Sequence, residues 1–153
     1  MSLLGKHIVV GISGGIAAYK IPELIRSLVK AGAEVRVTTT QNALQFVTEL
    51  TLQTLSGSRV YSDVFAAINE HATEHISLPE WADAMIVAPA TANVVAKMAS
   101  GIADDALTTT IASCLARILK ISSIKSSSFM ISPHNEFILF DVSLYINIAP
   151  CLL

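Results

Sequence analysis

The stretch VVGISGGIAAYK, residues 9–20, passes from an apolar run through closely spaced glycines into a segment of helix-forming residues. The run 7–12 is short and apolar and ends in turn residues, which is typical of a strand buried on both faces. Apolar residues then recur at helical spacing over 16–31, and Gly32 stands where a helix C-cap is expected. The pattern predicts a strand, a glycine turn and a helix in succession.

The same alternation of strands and helices continues downstream. Val and Thr are frequent over 34–40, which predicts a second strand parallel to the first and joined to it by a right-handed crossover. Alternating elements of this kind indicate an α/β fold with a mainly parallel sheet. The further predictions are one or two short helices within 42–57, a polar irregular segment over 58–80, a strand over 84–89, a helix capped by Thr91 or Asn93 and ending at Ser100, a helix from Asp104 and Asp105 to about 115, and one or two strands within 137–148.

Composition limits the partners and the compartment. The 153 residues are 52% hydrophobic, which predicts one domain with a large core. Charged residues make up only 14% and the net charge is −2, so there is no basic field for nucleic acid and none is expected as a partner. No apolar run reaches membrane-spanning length, which predicts a soluble, cytoplasmic protein. The cysteines, Cys114 and Cys151, lack ligand spacing, so we expect free thiols and no metal.

The glycine turn itself predicts an anion site. Peptide N–H groups in a bare turn before a helix can approach a phosphate, and the helix dipole adds to the attraction. The spacing of Gly11, Gly14 and Gly15 matches neither the dinucleotide fingerprint nor the P-loop, which favours a mononucleotide. A tight turn with no ligand explains this short pattern alone equally well.

Three predicted strand ends carry glycine or polar residues, at 13–15, 38–40 and 90–93. Open α/β sheets bind ligands beyond the carboxyl ends of their strands, so one crevice could collect all three segments. Strand propensity accounts for the threonines, and helix capping accounts for Thr91 or Asn93, when each is taken alone. Their coincidence at one edge favours a ligand.

Two longer segments carry a family resemblance. GISGGIAAYK and HISLPEWADAMIVAPATANVVAKMASGIADDALTTT resemble the homo-oligomeric flavin-containing cysteine decarboxylases over roughly residues 5–116. The resemblance implies a flavodoxin-like (Rossmann-like) three-layer α/β sandwich that binds FMN. It places the FMN phosphate on Ser13, Gly14, Gly15 and Thr40, and the flavin ring near Ala90, Thr91, Ala92 and Asn93.

The resemblance also implies an activity, which is FMN-dependent decarboxylation of 4′-phosphopantothenoylcysteine to 4′-phosphopantetheine in coenzyme A biosynthesis. His75 stands where the family has its catalytic histidine, just before a helix that ends at Trp81. A homotrimer or dodecamer is implied, and a mean hydropathy of +0.59 agrees with a covered apolar surface. A peptidyl-cysteine decarboxylase and a catalytically inactive FMN-binding regulatory subunit remain alternatives.

The C-terminal segment departs from the family pattern. All seven glycines lie at or before Gly101, and no Pro-x-Met-Asn segment follows Arg117. In the family that segment grips the substrate carboxylate, and a later flap carries a cysteine to which Cys151 does not correspond. We therefore expect a flavoprotein domain over 1–116, an atypical segment over 117–153 that packs on the same domain, and impaired turnover.

Overall fold

A computed structural model describes residues 3–64, 74–124 and 137–139, with side chains for 3–64 and 77–115. Five strands form one parallel sheet within these residues, in the order β3-β2-β1-β4-β5. The elements in chain order are β1 (His7–Ile12), α1 (Ile21–Lys30), β2 (Glu34–Thr39), α2 (Glu49–Ser56), β3 (Val60–Tyr61), α3 (Glu74–Trp81), β4 (Ala84–Val87), α4 (Ala92–Ser100), α5 (Ala106–Ile124) and β5 (Phe137–Leu139), with 3₁₀ turns at Ile16–Lys20 and Gln41–Gln45.

The strand order reverses between β1 and β4. The chain runs outward from β1 to β2 and β3, then returns to place β4 on the other side of β1. Gly11 of β1 is level with Thr38 of β2 and with Val87 of β4, so the three strands end together. Loops that leave neighbouring strands in opposite directions open a crevice at such a switch point. The predicted parallel α/β sheet is confirmed.

Helices cover both faces of the sheet, which confirms the flavodoxin-like three-layer sandwich. On one face Ile12 and the α1 residue Ile25 are fully buried together with Leu52 of α2. On the other face Val9 and Val87 are buried against Leu107 of α5. Burying one such side chain contributes about 1.5–3 kcal/mol, so the two apolar layers hold β1 at the centre of the domain.

Gly11 serves packing rather than the turn. A Cβ on Gly11 would lie 2.5 Å from Cδ1 of Leu107 and 3.2 Å from Cε of Met85. A larger residue at this position would therefore displace the ends of the Leu107 and Met85 side chains, where α5 packs on the sheet. Of the three glycines that the sequence grouped together, only Gly14 and Gly15 lie in the turn after β1.

Some boundaries differ from the sequence predictions. Strand β3 lies within 58–80, which was predicted to be irregular, because two residues are too few to show a strand period. Helix α5 runs to Ile124 and not to about 115, so it crosses position 116. Strand β5 pairs in parallel with β4 inside the predicted range 137–148, whose remainder lies outside the described residues. The division of the chain at 116 stays a prediction.

Candidate functional site

Ser13 joins the turn after β1 to the turn after β4. Its side chain is fully buried, and its hydroxyl donates a hydrogen bond to the carbonyl oxygen of Pro89. The hydroxyl oxygen of Ser13 in turn accepts a hydrogen bond from the backbone N–H of Thr91 at 3.0 Å. Thr91 caps α4, because its own Oγ1 lies 3.5 Å from the N–H of Val94. The structure therefore brings together the predicted residues on the two sides of the switch point.

Gly14 allows the turn after β2 to approach the turn after β1. A Cβ on Gly14 would lie 2.8 Å from the backbone carbonyl carbon of Asn42 and closer still to the Cβ of Asn42. Only glycine fits without moving the backbone of the 3₁₀ turn Gln41–Gln45. Asn42 and Pro89 are site neighbours that the sequence reasoning did not name, and only their positions directly after predicted strand ends could have indicated them.

Gly15 faces the β4 turn. Its backbone is extended, with φ −137° and ψ 158°, so glycine is not required there for its dihedral angles. A Cβ on Gly15 would lie 3.3 Å from Cγ2 of Thr91 and 3.6 Å from Cγ of Pro89. The missing Cβ of Gly15 thus leaves space between the turns after β1 and β4. Gly14 contacts the backbone of the 3₁₀ turn after β2.

The threonines at the end of β2 include two buried hydroxyls without a hydrogen-bond partner in the described part of the chain. Thr38 and Thr39 are fully buried, and no acceptor or donor reaches either Oγ1. Thr40, the predicted phosphate residue, donates its N–H to the carbonyl of Ile12 and caps the following turn through Ala43. Unsatisfied buried hydroxyls cost about 1–3 kcal/mol each, which is unusual away from a functional site.

The electrostatic character of this edge comes from backbone groups. The segments 13–15, 38–40 and 89–93 contain no charged side chain. Ala92 and Asn93 are exposed in the first turn of α4, whose free N–H groups and helix dipole favour an anion. A carboxylate among them would repel a phosphate, and these three segments contain none.

Helix α4 is also fixed at its other end. Lys97 Nζ lies 2.6 Å from Asp104 and 2.9 Å from Asp105, just before α5. Hydrogen bonds to Asp104 and then to Asp105 raise the pKa of Lys97 above 10.5. Burial alone would raise the pKa of Asp105, but hydrogen bonds from the Thr108 N–H and from Lys97 outweigh burial and hold that pKa below 3.8. The ion pairs connect the last turn of α4 to the start of α5.

His75 lies in the first turn of α3, and not before the helix as predicted. Its side chain is outside the described part, so its contacts remain untested. The far end of α3 is fixed at the amino edge of the sheet, where the Trp81 ring stacks on His7 at 4.5 Å between centroids. The guanidinium of Arg36 lies 4.2 Å from the centroid of the Trp81 ring. From His75 to Trp81 the helix rises about 9 Å along its axis, which separates His75 from this anchor.

Metal and membrane features do not occur in the described residues. No three histidine, cysteine or acidic side chains among them come close enough to hold a metal ion. Cys114 is buried, with its Sγ 3.6 Å from Sδ of Met85, and Cys151 is outside the described range. Across the described ranges, each helix is too short or too polar to cross a bilayer.

The strand order, with its reversal between β1 and β4, defines a doubly wound α/β protein, a class that binds ligands beyond the carboxyl ends of the strands at such a reversal. The Flavoprotein family profile matches residues 2–134, and the chain belongs to that family. It is 56% identical over 109 residues to the coenzyme A biosynthesis bifunctional protein CoaBC of Haemophilus influenzae. The aligned region covers 71% of this chain and 27% of that protein.

Two solved structures share the fold. The FMN-dependent cysteine decarboxylase SpaF superposes with a TM-score of 0.66 and 30% identity, over 73% of this chain and 65% of SpaF. A C175S variant of PPC decarboxylase, in complex with pantothenoylaminoethenethiol, gives a TM-score of 0.62 and 31% identity, over 71% of this chain and 60% of that one. The chain spans about a quarter of the length of the curated relatives it matches.

Proposed function

We propose that the chain binds FMN in the crevice between β1 and β4, with the phosphate at Ser13–Gly15 and Thr40 and the ring near Ala90–Asn93. The observation that carries the proposal is the pair of turns that Ser13 holds together at the switch point. Backbone N–H groups and a helix N-terminus favour a phosphate, and the segments 13–15, 38–40 and 89–93 contain no carboxylate. FMN-dependent relatives with the same fold support the choice of flavin.

The unsatisfied hydroxyls of Thr38 and Thr39 fit a polar ligand at the same edge. Both lie within two residues of Thr40 and carry no internal hydrogen bond in the described residues. Thr38 and Thr39 are consecutive in β2 and therefore face opposite sides of the sheet, so a hydroxyl of the ribityl chain could reach the threonine on its own side. The residues present are therefore compatible with FMN, whereas a nucleotide triphosphate would need cationic side chains that these three segments lack.

The proposed reaction is decarboxylation of 4′-phosphopantothenoylcysteine to 4′-phosphopantetheine, as the identity to the CoaBC proteins supports. When bound, FMN supplies two-electron oxidation of the thiol-bearing carbon and later returns the hydride, which makes loss of carbon dioxide possible. His75 is proposed to transfer a proton or to hold the substrate, a role that suits a group titrating near neutrality. The Trp81 anchor fixes the helix that carries it.

We also propose that the chain assembles as a homotrimer or a multiple of one. Large apolar side chains remain exposed in the turns after β1 and β2 and at the start of α2, namely Ile16 at 74%, Tyr19 at 60%, Phe46 at 43% and Leu50 at 74%. Exposed apolar groups of this size favour contact with another protein surface. Light scattering at micromolar concentration tests the proposal, and a monomer would contradict it.

Turnover measurements distinguish the proposed decarboxylase from the two alternative functions. The purified chain is saturated with FMN and given either 4′-phosphopantothenoylcysteine or a peptide with a C-terminal cysteine, and carbon dioxide release is measured. Release from the first substrate alone supports the proposal. Release from the peptide alone favours a peptidyl-cysteine decarboxylase, and FMN binding without any release favours an FMN-binding regulatory subunit.

The departure after Arg117 predicts slow turnover. A family C-terminus with Pro-x-Met-Asn and the flap cysteine, grafted after Ala116, should raise the rate at least about a hundredfold. Restoring one charge-assisted contact contributes about 1.5–3 kcal/mol, and exclusion of water adds to it. Single-turnover rates of both chains with the same substrate and saturating FMN make the comparison. Equal rates would show that residues 117–153 already supply these groups.

A further inference from the structure

Ser13 is completely buried and already uses the only hydrogen atom of its hydroxyl. We propose that Ser13 is a positioning residue, which joins the turns after β1 and β4 and does not contact the cofactor phosphate through its hydroxyl. The inference rests on the proposed FMN site and changes the role of one residue within it. The side chain would set the separation between the phosphate end and the ring end of the bound flavin.

The hydrogen-bond chemistry of a hydroxyl supports this assignment. A phosphate at neutral pH accepts hydrogen bonds, so a serine ligand must donate its single O–H to it. That O–H is donated to Pro89, and the oxygen accepts the N–H of Thr91. Ser13 could donate its hydroxyl hydrogen to the phosphate only by breaking its hydrogen bond to the carbonyl of Pro89. Pro89 is also buried, so that carbonyl would be left without a donor.

The contact extends from the turn into helix α4. Thr91 is the residue whose N–H reaches Ser13 and whose own hydroxyl caps the helix at Val94. Gly15 allows this close approach, because its missing Cβ would stand 3.3 Å from Cγ2 of Thr91. The hydroxyl of Ser13 therefore fixes the first turn of α4, where the proposed ring-binding residues Ala92 and Asn93 lie.

Two flavins distinguish positioning from phosphate binding. FMN and riboflavin share the ring and the ribityl chain and differ in the phosphate. Ser13→Ala should weaken both by the same factor, about tenfold, as expected for losing about one internal hydrogen bond. The ratio of FMN affinity to riboflavin affinity should stay at the wild-type value, and the visible spectrum of the bound flavin should shift because the ring-binding turn has moved.

A second readout needs no flavin. Amide hydrogen exchange of the flavin-free chain should be about tenfold faster at Thr91 in Ser13→Ala than in wild type, since the acceptor of that N–H is gone. Thr48→Ala is the matched control, because Thr48 also accepts a backbone N–H, from Thr51, in an exposed cap of α2 that shares no hydrogen bond with Ser13 or Thr91. It should change neither the exchange at Thr91 nor either flavin affinity.

The outcomes separate this inference from the proposed function. Equal loss for both flavins with faster exchange at Thr91 supports the positioning role. A loss confined to FMN, or unchanged exchange at Thr91, overturns it. If wild type binds neither flavin but amide exchange at Thr91 is faster in Ser13→Ala than in wild type, the FMN proposal fails. The role of Ser13 in joining the two turns then stands. Should Ser13→Ala not fold, Ser13→Cys keeps similar volume with a weaker hydrogen-bonding group, and the same readouts apply.

Discussion

The carboxyl edge of the sheet is built from small residues and backbone hydrogen bonds, whereas the amino edge is built from large side chains that stack on one another. At the amino edge the ring of Trp81 contacts both the ring of His7 and the guanidinium of Arg36. The backbone N–H of His7 is bound by the carboxylate of Asp83 at 2.9 Å, and Nε2 of His7 lies 3.7 Å from Glu34. Polar groups at this edge are matched within the protein.

The carboxyl edge is different because its close contacts leave polar groups unmatched. Gly14 and Gly15 let three turns approach one another, and the only side-chain link between them across the switch point in the described chain is that of Ser13. The hydroxyls of Thr38 and Thr39 are buried there without a partner among the described residues. The proposed FMN site predicts this difference, because a bound ligand would supply polar partners that the described residues do not supply at the carboxyl edge.

The largest expected effect is on flavin binding. Gly15→Asp places a carboxylate between the two turns, next to the proposed phosphate, so FMN affinity should fall at least about a hundredfold through charge repulsion and lost space. Gly15→Ala is the control, because its Cβ alone would be a tight but uncharged contact and should weaken FMN only several-fold. Flavin fluorescence titration measures both variants. Undiminished FMN affinity in Gly15→Asp would place the phosphate elsewhere.

The amino edge should respond in the opposite way. Trp81→Ala removes both ring contacts, so the free energy of unfolding should fall by about 2 kcal/mol, below the usual cost for a fully buried Trp because Trp81 is half-buried. FMN affinity of the folded chain should change less than about twofold. Trp81→Phe keeps a ring and should lose less stability in a urea titration. A large loss of FMN affinity would break the distinction between the edges.

A third variant tests the fit between the turns after β1 and β2. Gly14→Ala should lower the free energy of unfolding by about 1–3 kcal/mol, because its Cβ overlaps the backbone of Asn42. Asn42→Gly in the same chain removes one of the clashing atoms and should restore part of the loss. Chemical denaturation of both single variants and the double variant measures their coupling. Strictly additive losses would mean that the two residues do not touch.

The smallest effect concerns the ion pair behind α4. Asp105→Asn keeps an N-capping side chain but removes the charge, so the free energy of unfolding should fall by about 0.5–1 kcal/mol at pH 7. The pKa of Asp105 is lowered, so its ionised form stabilises the fold. That contribution is complete above the ordinary value of 3.8 and is lost as pH falls below it.

The difference between wild type and Asp105→Asn should therefore be constant from about pH 5 to 7 and shrink below about pH 4. Thermal unfolding at several pH values measures this difference. Asp104→Asn is the control, since Asp104 is 58% exposed and solvent screening should make its loss smaller. A difference that grew at low pH would reverse the sign and contradict the assignment.

Most of the fold could be predicted from the sequence because its strands are buried on both faces. The apolar runs of β1 and β4, and the caps Thr91, Gly57 and Gly101, mark element ends by local chemistry. β3 could not be predicted, since Val60 and Tyr61 become a strand only by pairing with β2. Tertiary pairing of this kind leaves no local pattern.

The site was predictable as a set of positions but not as a set of contacts. The sequence placed Ser13, Gly14 and Gly15 with Ala90–Asn93 at one edge, and the structure brings the two turns together there. It did not indicate that the Ser13 hydroxyl is occupied by Pro89, because that contact spans 76 residues. It grouped Gly11 with Gly14 and Gly15 by spacing, although the predicted strand 7–12 contains Gly11, and it did not indicate the contact with Leu107 of α5.

The central claim is that a flavin completes the carboxyl edge between β1 and β4, and amide hydrogen exchange with and without saturating FMN tests it most directly. The account predicts slower exchange on FMN addition at residues 13–15 and 90–94, with no change at His7 and over 81–83. Fluorescence quenching in the same sample confirms that FMN is bound. Protection at the amino edge, or bound FMN without protection at 13–15, would contradict the account.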